Sequence, residues 1–151
     1  MVQGRDGALY GTTVSGGGGI CGGLFGCGTV FRLATNGEYS ILYRFALNGR
    51  SDGDGPAPYL IQATDGYFYG TTNSGGDAAA DRTGTVFRLS PNGEKTTLYS
   101  FGPLNQKPSA PVGGVIQAKD GSFYGILAEN GYLGAVEARG GYGAAFKMTV
   151  N

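Results

Sequence analysis

The chain has 151 residues, eleven of them basic, eleven acidic and none histidine. The length suits one ordinary domain with a real core, and zero net charge removes the electrostatic reason to expect nucleic acid or an anionic membrane as partner. Without histidine, the commonest general base near neutral pH and the commonest transition-metal ligand are both missing.

Glycine numbers 31, and tyrosine with phenylalanine total 18. Glycine without a collagen triplet, mixed with aromatics and β-branched residues, reads as short strands joined by tight turns rather than as a disordered linker. No apolar run approaches the roughly 18 residues of a membrane-spanning helix, so membrane insertion is not expected. The opening "MVQGRDG" carries no apolar signal region. On that ground the protein is either cytosolic or has a leader outside this sequence.

In chain order, one phrase returns. "DGALYGTTVSGG" (Asp6–Gly17) comes back as "DGYFYGTTNSGG" (Asp65–Gly76) and, worn, as "DGSFYGILAENG" (Asp120–Gly131). The "GTVF" at Gly28 returns at Gly84 and decays to "GAAF" at Gly143. Residues 1–45 form a first repeat whose "MVQ" is the end of a strand a. Residues 46–101 form a complete one. Within it, strand a is "YLIQA" (Tyr59–Ala63), strand b "YFYGTT" (Tyr67–Thr72), strand c "GTVFRLS" (Gly84–Ser90) and strand d "KTTLYSF" (Lys95–Phe101). Residues 102–151 form a degenerate third repeat without a strand d. Asp-Gly and Asn-Gly are expected to make two-residue type I′ turns, with positive φ at both central residues.

Four antiparallel strands per sequence repeat predict an all-β fold of β-propeller-type blades, about three per chain. A β-helix needs shorter coils, a helical solenoid needs 3.6-residue stripes that are absent, and a β-sandwich need not repeat its sequence. A closed propeller usually needs at least four blades. Three would leave two open sheet flanks, so a homodimer completing a ring of about six is expected, unless the chain belongs to a longer repeat protein. Tyr10, Tyr69 and Tyr124, with Phe31, Phe87 and Phe146, are predicted to fill the space between blades. Gly11, Gly70 and Gly125 are predicted to let neighbouring blades approach closely.

The short a–b and c–d turns fall at one end of each blade and the long, varied b–c and d–a loops at the other, where function tends to sit. Cys21 and Cys27, six apart in "CGGLFGC", suggest a local disulfide stabilising by about 2 kcal/mol in an oxidising compartment. Two cysteines without histidine make a poor zinc site or nucleophile. Asp52 and Asp54 in "SDGDGPAP" are weak metal candidates, because no further ligand follows in a calcium-loop pattern; an ordinary solvated turn is the simpler reading. Asp77, Asp81 and Arg82 read first as surface ion pairing and second as a polar ligand site. Glu129, Tyr132, Glu137, Arg139 and Tyr142 suit a carbohydrate or peptide contact; paired carboxylates there would also be the minimum for glycoside chemistry. "SGGGGICGG" lacks the Gly-Lys-Ser/Thr ending of a phosphate loop. No cofactor is expected, and no catalytic residue is assigned.

"LIQATDGYFYGTT", "GTVFRLSPNGE" and "TTLYSF", with "DGDGPAPYLIQ" between units, resemble the GloVer tandem repeat. The resemblance covers two good copies and one degraded copy, and the turns, aromatics and Thr-Thr pair agree in order and spacing. It implies an extracellular or envelope-associated bacterial repeat protein, usually carrying a secretion signal and a surface anchor. It defines no catalytic residues. The leading expectation is a non-enzymatic binding or scaffold module whose loop end contacts a glycan or protein. A glycan-active hydrolase or lyase and a purely architectural repeat are the alternatives. Converging carboxylates would favour the former and flank contacts the latter.

Overall fold

The structure is a computed structural model that describes residues 1–18, 26–47, 50–76, 83–101, 109–131 and 142–150. Among the described residues, twelve strands form three antiparallel sheets. Sheet I contains β1 (Val2–Gln3), β2 (Leu9–Thr13), β3 (Thr29–Leu33) and β4 (Tyr39–Arg44) in that order. Sheet II contains β5 (Asp54–Pro56) and β6 (Ile61–Gln62), both paired with β7 (Phe68–Ser74), followed by β8 (Thr85–Leu89) and β9 (Lys95–Ser100). Sheet III runs β10 (Ser109–Gln117), β11 (Phe123–Gly131) and β12 (Tyr142–Met148). Sheet I draws its strands from residues 2–44, sheet II from 54–100 and sheet III from 109–148. The d–a connection differs from expectation: a 3-10 turn (Arg50–Asp52) and β5 precede β6, and Asp54 is buried against β7 rather than lying in a solvated turn.

The hairpin turns also differ. In each, the residue before the turn accepts from the glycine: Gly7 N–H to Gly4 O at 2.9 Å, with Gly66 to Ala63 and Gly121 to Ala118 at 3.0 Å. Only the glycine has positive φ (+81°, +88° and +82°), so each is a three-residue type I turn with a glycine bulge rather than type I′. The aspartate side chain decides this. Oδ1 of Asp6, Asp65 and Asp120 accepts the N–H two residues on, at 3.1, 3.0 and 3.0 Å, an arrangement that leaves the aspartate at negative φ.

The two threonines of "YGTT" have separate tasks. The first reaches the next sheet: Thr12 Oγ1 donates to Ala57 O at 2.8 Å and Thr71 Oγ1 to Gly113 O at 2.7 Å. The second pairs across its own sheet, Thr13 with Thr29 and Thr72 with Thr85, both at 2.9 Å. Alternation along β7 turns Phe68 toward sheet I and Tyr69 toward sheet III. Tyr10 thereby packs on Phe68 with ring centroids 4.1 Å apart, and Tyr69 on Phe123 at 4.2 Å. Further out, Phe45 meets Phe87 at 5.3 Å and Phe101 meets Phe146 at 5.4 Å, both edge to face. Two apolar clusters result, one between sheets I and II and one between II and III.

Gly11, Gly70 and Gly125 serve differently from the expectation. Each stands opposite a phenylalanine of its own sheet: Phe31, Phe87 and Phe146. A Cβ on Gly70 would lie 2.7 Å from Phe87 Cζ, so the missing side chain makes room for that ring, not for the adjacent sheet. Close approach between sheets falls at Gly28 and Gly84 instead, where a Cβ would lie 2.5 Å from Pro56 Cδ and 2.6 Å from Pro111 Cδ. Gly70→Ala is expected to destabilise the chain by about 1–3 kcal/mol, because the fully buried Phe87 ring has nowhere to move. Urea unfolding measures it.

Candidate functional site

Two Asp–Tyr pairs and a third turn aspartate, Asp120, stand at the short-turn end of the sheets. Tyr10 OH donates to Asp6 Oδ2 at 3.0 Å and Tyr69 OH to Asp65 Oδ2 at 2.7 Å. Arg32 joins the first pair, donating to Asp6 at 3.0 Å, and Lys147 reaches Asp120 at 3.4 Å. The Arg32 hydrogen bond holds the Asp6 carboxyl below its ordinary range, and the Ser122 N–H does the same for Asp120. Burial, followed by the Asp65 hydrogen bond, pushes Tyr69 up to about 12. An arrangement shared by sheets I and II, with its acceptors occupied, is scaffold.

The unrepeated chemistry lies toward the loop end, between sheets I and II. The 3-10 turn folds Asp52 back beneath β4, where its carboxylate accepts from Ala46 N–H at 3.1 Å and from Tyr43 OH at 2.5 Å. Ala46 is fully buried with φ +53°, an unusual conformation for alanine that the Asp52 contact helps to hold. Lys95 enters from β9. Its Nζ donates to Asp52 O at 2.5 Å and Thr97 Oγ1 at 2.8 Å, and lies 5.6, 5.7 and 5.8 Å from the ring centroids of Tyr43, Phe45 and Phe87. Burial lowers the ammonium to about 8, against the opposing pull of the Asp52 charge. Burial, and then the Asp52 hydrogen bond, raises Tyr43 far above the ordinary phenol range.

Beside this cluster is a cleft of about 420 Å³, lined chiefly by Leu42, Tyr43, Arg44, Leu47, Ser51 and Asp52. It offers an exposed aliphatic wall at Leu47, a guanidinium and polar oxygens. Lys95 does not line it, and its polar contacts are the Asp52 carbonyl and the Thr97 hydroxyl. The cluster therefore stiffens one side of the cleft rather than supplying a free base. A second cleft of about 330 Å³ opens between sheets II and III, lined by Tyr99, Phe101, Leu127, Phe146 and Met148 among others, and is predominantly apolar. It lies on the side where sheet II has β9 and sheet III, among the described residues, has no fourth strand.

Of the residues singled out from sequence, Asp77, Asp81, Arg82, Tyr132, Glu137, Arg139 and Cys21 lie outside the described residues. Glu129 and Tyr142 have described backbone only, in β11 and β12 near the loop end of sheet III. Cys27 is disulfide-bonded and buried. Asp52 has its carboxylate occupied by Ala46 and Tyr43, and Asp54 is 8% exposed. Among the described residues, no three His, Cys, Asp or Glu side chains gather as metal ligands would. Sequence reasoning missed Tyr43, Arg44 and Lys95. The available signal was a broken repeat: Lys95 stands where the first repeat has Tyr39.

Lys95 makes stability depend on pH. Its folded value of about 8 lies below the ordinary 10.5, so between these values the native chain binds fewer protons than the unfolded one. Stability therefore rises with pH through that window. A gain of about 1.5 kcal/mol is expected from pH 8 to about 9.5, before tyrosine ionisation in the unfolded chain opposes it. Lys95→Met should abolish the rise, as urea unfolding at several pH values would show.

No curated protein matches the chain. The Gloeobacter/Verrucomicrobia repeat model matches residues 1–151, the whole length, in agreement with a chain built of three copies of one strand unit. The chain belongs to the Gloeobacter/Verrucomicrobia repeat family.

Proposed function

We propose that this chain is a non-enzymatic binding or scaffold module of a secreted or surface-attached bacterial repeat protein, its sheets arranged as propeller-type blades and its loop end contacting a glycan. The observation that carries the reading is the contrast between the two ends. At the short-turn end the same Asp–Tyr arrangement recurs from sheet to sheet. At the other, a cleft combines Tyr43, Arg44, Leu47 and Ser51 beside a loop whose sequence differs from copy to copy. An apolar wall with a few convergent polar groups is how small-ligand sites are commonly built, and the mixture here suits hydroxyl-rich sugars better than an extended protein face. The disulfide at Cys27 is in keeping with an oxidising compartment.

Catalysis finds less support. The Asp52 carboxylate is engaged by two donors and Lys95 is held between sheets. Screening against immobilised glycans, followed by calorimetry on hits, tests the proposal. Leu47→Arg, at a half-exposed position on the cleft wall, is expected to cut affinity at least tenfold, about 1.4 kcal/mol, without lowering the melting temperature. Absence of any glycan hit, or a hit indifferent to Leu47→Arg, would overturn it.

A further inference from the structure

The two faces of each internal sheet contact carry different residues, and both kinds are present again, uncovered, at the ends of the stack. On the donating face, a turn N–H, an aliphatic residue of the first strand and a tyrosine of the second point to the next sheet. On the receiving face stand a glutamine, an apolar second-strand residue and a third-strand phenylalanine. Between sheets I and II, Arg5 N–H donates to Gln62 Oε1 at 2.8 Å, Val2 joins the shared apolar cluster and Tyr10 packs on Phe68. Between II and III, Thr64 N–H donates to Gln117 Oε1 at 2.9 Å, Ile61 takes the place of Val2, and Tyr69 packs on Phe123.

Sheet III has the next donating face: Lys119 N–H, Ile116 at 66% exposure, Tyr124 and Ile126 at 55%. Sheet I has the corresponding receiving face: Gln3, Leu9, Phe31 and Tyr39, the last 54% exposed. Gln3 Nε2 donates to Gly7 O just as Gln62 Nε2 donates to Gly66 O, which aims both amides alike. Among the described residues, Gln3 Oε1 has no donor and Lys119 N–H no acceptor. Phe31 and Leu33 are half-buried, whereas their counterparts Phe87 and Leu89 in sheet II are fully buried.

We propose that these faces bind each other in a second copy of this chain, sheet III of one docking head to tail on sheet I of the other. Lys119 N–H then reaches Gln3 Oε1, and Tyr124 packs on Leu9, continuing a contact that the chain already makes twice. The departures from the repeat fit this joint. Ile126 stands where Thr12 and Thr71 need a carbonyl on the next sheet, so it makes no such demand. Sheet I presents bulky Tyr39 where sheet II presents Lys95. Two copies related by a two-fold along the ring axis satisfy both joints at once, because a head-to-tail contact closes when its rotation does. Closure rests on the blade reading above; it does not depend on the glycan.

Light scattering over a range of concentrations tests it. The expected mass is about 31 kDa, twice the 15.5 kDa chain. Tyr39→Asp and Ile116→Asp, each at an exposed position on one face, should give 15.5 kDa species. Their equimolar mixture should regain the pair, since each supplies the face that the other lacks. Circular dichroism checks folding, with Tyr39→Ala and Ile126→Asp as replacements for a variant that fails. A wild-type monomer at high concentration overturns the proposal. So does a pair that survives either single variant, a mixture that stays monomeric, or a ladder of masses beyond two.

Discussion

The contact on which the molecule depends is the tyrosine of one sheet lying against the phenylalanine of the next. It occurs at Tyr10–Phe68 and again at Tyr69–Phe123, with centroid separations within 0.1 Å of each other. Neither sheet can bury its own aromatics: a four-stranded meander has two faces, and each face needs a neighbour. Phe68 and Tyr69 are adjacent, so β7 sends one ring to each side and the middle sheet becomes the hub of both clusters. A close-packed aromatic pair adds roughly 0.5–1.5 kcal/mol beyond its buried area, and the spacing it sets brings the Phe45–Phe87 and Phe101–Phe146 pairs into edge-to-face contact further out.

Polar groups are arranged around that spacing. Each tyrosine in these pairs passes its hydroxyl to the aspartate of its own turn, so the ring is buried while the oxygen remains satisfied. The same aspartate, through its other oxygen, sets the turn. The first threonine of each "YGTT" ties the sheet to its neighbour and the second ties β2 to β3 or β7 to β8. One short phrase thus specifies a turn, an inter-sheet stack, an inter-sheet hydrogen bond and a cross-strand pair. Where it decays to "YGIL", the third sheet loses both threonine bonds, and its outward face becomes aliphatic.

The strand units, their sheet membership and the inter-sheet role of the tyrosines were legible because they repeat. A side chain needed at one place in every sheet appears at one place in every copy. The turn type was misread because Asp-Gly suits type I′ as well as a glycine-bulge turn, and the Asx hydrogen bond that chooses between them depends on where the strands begin. The task of Gly70 was misread because its neighbour, Phe87, lies on another strand and meets it only through the register. The Asp52–Tyr43–Lys95 cluster was invisible for a related reason: its members come from two sheets, and although Tyr43 recurs as Tyr99, Lys95 stands where the first copy has Tyr39.

The amino-acid order alone determined that the chain is all-β, that it folds as three similar units, and which end of each unit is constant, since these follow from local strand and turn chemistry copied along the chain. Only the tertiary structure decided which residues meet between units. It buried Asp54, turned Asp52 inward, set Lys95 against three aromatic rings and left Tyr39 exposed at the matching position one sheet away. The physical reason is that desolvation and contact between sheets depend on which face of a strand has a neighbour, and a residue's own surroundings in sequence carry no record of that.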